Sequence, residues 1–370
     1  MGRKLLDYCK ISGKPVKYFD GIRNYVATAD IINGEIISSE EVTYSSKPSR
    51  ANQNVENNEL IFAKMMSTRK VIQISDTNKD FIYSTGFYVL TPNEDVNSRY
   101  IYWFLNSDNF NNQKDKNSTG ATMKGINNDG LKNILINDMP NIKVQEERAK
   151  DLDKIYDAIL NRKNSIQDCV KLVNSLYYDS VLKNNCESKK LSEIGKSLIG
   201  LTYSPKDICE IGTIVLRSGN IQNGILDFKD IVRVSSDIKE TKMVKENDIL
   251  ICSRNGSKRL VGKSVIIPKT DEKMAFGAFM AVYRSEYNEF LIAFFHSDDF
   301  KKQLGGSATA TINQITSEML NNIVVMIPPK AILQKIILQI KQIQKQKILL
   351  ESDLKDLELL LEIKMHQYFS

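Results

Sequence analysis

Two rhythms of apolar positions divide this chain. From about Lys4 to Lys143 they fall in short runs broken by polar turns. Leu60-Ile61-Phe62 and Phe87-Tyr88-Val89-Leu90 are typical and predict β-strands. Ile32-Asn33-Gly34-Glu35-Ile36 carries the Asn-Gly signature of a tight hairpin. Arg99 to Phe110 sets aromatic residues at helical spacing and predicts one short packed helix. From about Gln145 the rhythm changes. Leu152, Ile155, Ile159, Ile166, Cys169, Val173 and Leu176 recur at gaps of three and four, with Arg162 in the one open slot. That is a heptad seam, and Gln145 to Lys183 as a helix would span roughly 57 Å. Short runs return from about Leu191 to Pro329, with Ser264-Val265-Ile266-Ile267 and Met280-Ala281-Val282-Tyr283 expected as strands. A second seam follows through Ile336, Ile340, Ile343, Leu350, Leu354, Leu357, Leu361 and Tyr368, with Lys347 and Lys364 at polar slots.

The second rhythm pair repeats the first. Thr28-Ala29-Asp30-Ile31 with Asn33-Gly34 returns as Ser218-Gly219-Asn220-Ile221 with Asn223-Gly224, an offset of 190. Glu56 to Ile61 returns as Glu246 to Ile251, and Trp103 to Phe110 as Ala293 to Phe300, at the same offset. The two seams superpose at 188, Leu152 on Ile340 and Val173 on Leu361. A period this long is a duplicated domain rather than a solenoid. Because each helix follows its own globular segment, an antiparallel pairing of the helices is favoured, which would relate the halves by a pseudo-twofold.

Composition narrows the chemistry. The net charge of +6 permits nucleic-acid binding without requiring it. Two histidines, His296 and His366, are too few to favour a zinc site or a histidine-based acid–base scheme. The five cysteines form no C-x-x-C pair, which predicts reduced structural thiols. No apolar run is long enough for a membrane span, and Met1 to Asp7 lacks a signal-peptide core, so a cytoplasmic location is expected.

Few motifs suggest catalysis. Gly256 to Ser264 resembles a phosphate-binding loop but has five residues where four are needed, and a strand follows where a helix should. Asp271-Glu272-Lys273 lacks the spacing of a metal-binding carboxylate pair, and no methyltransferase motif is present. The polar loop Ser253 to Lys263 is more informative. Arginine reads guanine edges and asparagine adenine edges, while lysine and serine take phosphates. A solvated hairpin loop would have the same composition. The first copy places Lys64, Ser67, Thr68, Arg69 and Lys70 at the corresponding positions, which tilts the reading towards binding. A second shared feature, Ser118-Thr119-Gly120-Ala121-Thr122 against Ser307-Ala308-Thr309-Ala310-Thr311, suits close approach to a phosphate chain or a plain turn equally.

The order of domain, long helix, domain, long helix, with Asn247 to Ser257 followed by Leu260-Val261-Gly262, resembles the specificity (S) subunit of type I restriction-modification enzymes. The first copy departs from it, with Lys64-Met65-Met66-Ser67 against Arg254-Asn255-Gly256-Ser257. The resemblance implies an α+β fold: a first target recognition domain over 1–143, a spacer helix over 144–185, a second recognition domain over 186–329 and a second spacer helix over 330–370. The helices would pair as an antiparallel coiled coil. Each domain would read one half of a bipartite duplex DNA target. The helices would set the spacer and dock two methylation subunits, which carry S-adenosylmethionine; restriction subunits can join. The chain itself would be non-catalytic, with no cofactor or metal. DNA contacts are then expected from Arg23, Lys47, Arg50, Lys64, Ser67, Thr68, Arg69, Thr122 and Lys124 in the first domain. In the second they are expected from Arg217, Asn220, Arg254, Asn255, Ser257, Lys258, Arg259 and Thr309. Two rivals stand beside this reading: a single-chain DNA-modifying enzyme, and a coiled-coil adaptor with paired protein-binding domains.

Overall fold

The computed structural model describes residues 2–370 apart from Asn33, Thr122, Asn223, Ser236 and 306–313, together with the side chain of Lys258. The chain is α+β and divides into two units, residues 1–163 with 353–370, and residues 164–352.

The first unit holds two four-stranded sheets. In one, strands Cys9–Ile11, Phe87–Pro92, Leu60–Ala63 and Val71–Gln73 lie side by side in that order, all antiparallel. Leu60 and Phe62 join the core on the helical side, while Ile61 and Ala63 join the core on the other. A strand buried on both faces must be apolar at every position, which is why it reads as an unbroken run. The other sheet runs Glu40–Val42, Arg23–Val26, Ile82–Ser84, Ala51–Gln53, and its central pair is parallel. The Asn-Gly hairpin forms between Ile31–Ile32 and Glu35–Ile36, with Gly34 at φ +78°, where a Cβ would also meet Tyr102 Oη at 2.7 Å.

The second unit repeats this plan. Lys196–Ile199, Met280–Arg284, Ile249–Cys252 and Ser264–Ile266 build the first sheet in the same order and sense. Val232–Val234, Thr213–Leu216 and Met274–Phe276 build the second, again with one parallel pair. The copies differ at this sheet's edge. The first adds Ala51–Gln53 beside the parallel pair, and the second adds Ile208–Cys209 on the opposite side. In both units the first sheet faces a pair of short helices.

The helix expected over Arg99 to Phe110 is in fact two, Ser98–Asn106 and Asp108–Lys116. Ser107 breaks it. Its hydroxyl donates to the Phe104 carbonyl and accepts the Phe110 N–H, capping the second helix, with Asp108 in the favourable first turn. Ser297 likewise caps the helix Asp298–Gln303 that follows Asn288–His296, its hydroxyl accepting the Phe300 N–H.

The long helices run Ile142–Lys183 and Lys330–Phe369. Within the first unit their segments pair antiparallel: Lys163 meets Glu358 at 3.0 Å, while the Arg148 guanidinium lies over the Tyr368 ring at 4.9 Å. Arg162, in its polar slot, reaches Asp353 at 3.5 Å. Phe369 completes the unit's core against Tyr100 and Phe104. Within the second unit, Val173, Leu176 and Tyr177 share a core with Leu333, Ile336 and Ile340, late residues of one helix with early residues of the other, as antiparallel pairing requires. Tyr177 stacks on Phe290 and Phe294 as Phe369 does on their counterparts.

Each unit also bonds its short helix to a long one, with opposite polarity. Arg99 Nε and Trp103 Nε1 both donate to Asp153 Oδ1, at 2.7 and 2.9 Å. In the second unit Lys341 Nζ approaches Glu289 Oε1 at 3.2 Å, so cation and anion have changed places. All five cysteines are unpaired, and burial pushes the Cys9 thiol up to about 12. Among the described residues no helix is long and apolar enough to cross a membrane.

Candidate nucleic-acid interface

The loop read as a recognition element in the second unit is a hairpin loop between the central strand Ile249–Cys252 and the edge strand Ser264–Ile266. The strand at Ser264 excludes a phosphate-binding loop, which needs a helix there. Cys252 N donates to the Lys263 carbonyl at 2.8 Å and Gly262 N to the Cys252 carbonyl at 2.9 Å, closing the base. Gly262 has φ +86°. Arg254 is exposed, and its backbone N–H bonds the Phe279 carbonyl at 3.0 Å. Its guanidinium lies 5.4 Å from the centre of the exposed Phe279 ring. Ser257 and Arg259 are exposed too. Asn255 is committed internally: its Nδ2 donates to Ser218 Oγ at 3.0 Å and its Oδ1 accepts the Ser257 N–H at 2.9 Å.

Two other candidates of this unit belong to the scaffold. Asn220 is buried, with its Oδ1 accepting the Arg217 N–H and its Nδ2 donating to the Asp227 and Asp230 carbonyls. Both of its amide protons are used internally and the side chain is out of reach of a base edge. Arg217 is turned onto Asp230 at 2.9 Å. Thr309, like Thr122 of the first unit, lies outside the described residues, as does the side chain of Lys258.

In the first unit the same sorting applies. Arg23 is held by the Asp80 carbonyl at 2.6 and 2.9 Å and by Asn54 Oδ1 at 3.2 Å, and burial lowers its pKa. Lys47 Nζ donates to the Ala51 carbonyl at 2.8 Å. Lys64 Nζ donates to the Thr85 carbonyl at 2.9 Å and sits over the Tyr88 ring, where desolvation lowers its pKa. Arg50 and Lys124 are exposed. Ser67, Thr68 and Arg69 form the loop tip. The Ser67 N–H donates to Asp115 Oδ1 at 2.9 Å, Arg69 pairs with Asp108 at 2.6 Å, and the Thr68 carbonyl accepts the buried Lys114 amine. Exposed cations and hydroxyls therefore gather on equivalent loops: Ser67 and Arg69 in one unit, with Lys124 on the segment bonded beside them, and Arg254, Ser257 and Arg259 in the other.

Sequence reasoning missed Lys114, Asp115 and Asp108, which hold the first loop from behind. It also missed Met65, Met66, Met123 and Phe279, exposed apolar side chains at the loop tips. The available signal was an apolar residue inside an otherwise polar loop. Among the described residues no cluster of His, Cys, Asp or Glu could hold a metal ion. The second unit also contains an open cavity of about 1390 Å³ between Ser264–Ile267, helix Asn288–His296 and the long helices. Exposed Val170, Phe228 and Ile348 and the amines of Lys341, Lys345 and Lys347 line it. The first unit fills the corresponding place with aromatics, Trp103 against Tyr102 at 5.4 Å and Tyr156 at 5.7 Å.

The type I restriction modification DNA specificity domain matches this chain twice, over residues 2–167 and 183–359, and the chain belongs to that family. It is 36% identical over 122 residues to the type I restriction enzyme EcoKI specificity subunit of Escherichia coli (strain K12), and 32% identical over 146 residues to the StySPI specificity subunit of Salmonella potsdam. These alignments cover 32% and 37% of this chain but only 26% and 31% of the curated relatives. Two solved structures share the fold over its whole length. The S subunit of a type I restriction-modification system from M. genitalium superposes with a TM-score of 0.60 at 14% identity, across 96% of that chain. A chain from work on complex assembly and conformational transition of the type I R-M system superposes at 0.55 with 18% identity, across 97% of that chain.

Proposed function

We propose that this chain is the DNA-recognition subunit of a type I restriction-modification methyltransferase, with no chemistry of its own, working in the cytoplasm. The carrying observation is one loop built twice: at the end of the same central strand each unit exposes polar and cationic side chains, and the two sets differ. Equivalent scaffolds with different loops suit a target of two unlike halves. The helices, about 60 Å long at 1.5 Å per residue, would fix the gap between those halves. Leu338, Leu349, Leu359, Leu360 and Ile363 stay exposed on the second helix. Apolar residues in such number outside the seam support docking of the methylation subunits there, with S-adenosylmethionine bound on those partners. Restriction subunits would join the same assembly.

The test is to profile methylated adenines in DNA from cells carrying this chain with its methylation subunits. A two-part motif separated by a non-specific gap is expected. A continuous motif, or methylation independent of this chain, contradicts the reading. The adaptor alternative predicts no salt-dependent DNA affinity in the purified complex.

A further inference from the structure

The tip of the first unit's loop is apolar. Met65, Met66 and Met123 expose 47%, 37% and 70% of their surface, and none of them belongs to a core cluster. They come together because two segments meet: Met65 bridges Gly125, and the Met66 N–H donates to the Lys124 carbonyl at 3.0 Å. Gly125 lets the two segments lie close, since a Cβ there would approach the Lys64 carbonyl oxygen to 3.2 Å.

This tip is held from behind. Ser67 turns the chain in the left-handed region at φ +59°. Helix Asp108–Lys116 grips both sides of that turn, through Asp115 on the Ser67 N–H and Lys114 on the Thr68 carbonyl. Lys114 is fully buried, and desolvation pushes its pKa down to about 8. Burying a lysine amine is costly unless it is hydrogen-bonded, and here the Thr68 carbonyl is the acceptor, so the amine and the turn hold each other in place. Arg69 and Lys124 flank the methionines with positive charge.

The second unit has Arg254-Asn255-Gly256 at offset 190 from Lys64-Met65-Met66. Arginine and asparagine suit hydrogen-bonded reading of bases, which a thioether cannot provide. The one apolar group that a base displays in the major groove is the thymine C5-methyl. Methionine adapts its shape to such a group better than any branched side chain.

We propose that the first unit reads its half of the target by apolar contact of Met65, Met66 and Met123 with thymine methyl groups, and that Lys114 and Asp115 are positioning residues for that contact. The proposal rests on the DNA-recognition reading above. Burying one methyl-sized group is worth about 0.8 kcal/mol, or about fourfold in affinity.

The experiment uses the chain assembled with its methylation subunits and duplexes bearing the methylated motif. The half belonging to the first unit is the one that persists when residues 186–329 are exchanged. Its thymines are replaced one at a time by deoxyuridine, which removes only the methyl. Wild type should bind at least one substituted duplex about fourfold more weakly. The triple variant Met65→Ala, Met66→Ala and Met123→Ala should bind native and substituted duplexes alike. Lys114→Met should lose the same discrimination while keeping the wild-type slope of affinity against salt, because Lys114 touches no phosphate. Asp115→Ala repeats that test should Lys114→Met not fold. A half-site without thymine, no deoxyuridine penalty, or a penalty that survives in the triple variant overturns the proposal. So does a shallower salt slope in Lys114→Met. Failure of the wild-type assembly to select any sequence overturns instead the DNA-recognition reading itself.

Discussion

Phe369→Ala should destabilise the first unit, although 205 residues separate position 369 from the main segment of that unit, which ends at Lys163. Phe369 is 5% exposed and lies between Tyr100, at 5.0 Å between ring centres, and Phe104, at 6.0 Å. Transfer of a buried phenylalanine ring is worth about 1.5–3 kcal/mol, and the cavity left behind raises the usual cost to about 3–5 kcal/mol. The position lies in the last turn of its helix, where the backbone can settle inward, so the low end, about 3 kcal/mol, is expected. With a urea dependence of about 2 kcal/mol per molar, the unfolding midpoint should fall by about 1.5 M. The readout is built in. Trp103 is the sole tryptophan, is buried in the same core, and donates to Asp153 at 2.9 Å. Its fluorescence in urea follows the first unit alone. Phe369→Leu should recover most of the loss. A Trp103 midpoint unchanged in Phe369→Ala would refute the assignment of residues 353–370 to this core.

Lys114 gives a pH signature. Burial lowers its pKa in the folded state from the ordinary lysine value of 10.5 to about 8, so the unfolded chain binds more protons between those values. Stability of the first unit should therefore rise with pH across about 8 to 10.5, and Lys114→Met should remove that component from urea midpoints measured against pH. At the reversed ion pair, Lys341→Asp would set a second carboxylate against the nearly buried Glu289 and cost about 1–2 kcal/mol, discounted for the exposure of Lys341. Adding Glu289→Arg should restore the thermal midpoint; additive losses would show that the two residues do not interact. Arg254→Ala should cost about 1–3 kcal/mol and relax selection at one base pair if its contact is bidentate, whereas a uniform loss over all sequences in binding competition would assign it to phosphate.

The strands and helices were legible because their constraints act locally. Ile249 to Cys252 is buried on both faces and must be apolar throughout, and Ile336 and Ile340 fall four apart because both enter one core with Val173, Leu176 and Tyr177 of the other long helix. The break at Ser107 was missed because serine is tolerated inside helices, and only the geometry of its hydroxyl distinguishes a cap. Tyr177 was missed because it sits beside the seam residue Leu176 and turns instead to the domain's own Phe290 and Phe294.

The interface was less legible for a different reason. A long cation serves a backbone carbonyl as well as it serves a phosphate. Arg23, Lys47 and Lys64 proved to be scaffold donors, while Arg254 and Lys124 are exposed, and composition alone cannot separate these cases. Methionines in a loop invite the assumption that they are buried, and only the fold reveals Met65, Met66 and Met123 at the surface.

The central claim, two similar units each reading its own half of a DNA target, is tested most directly by exchange. Residues 186–329 are replaced by the equivalent segment of a family member with a different methylation motif, and methylated adenines are mapped in cells that also supply the methylation subunits. One half of the motif should change to the donor's while the other half and the gap stay as they were. A motif that changes in both halves, or in neither, would contradict the account.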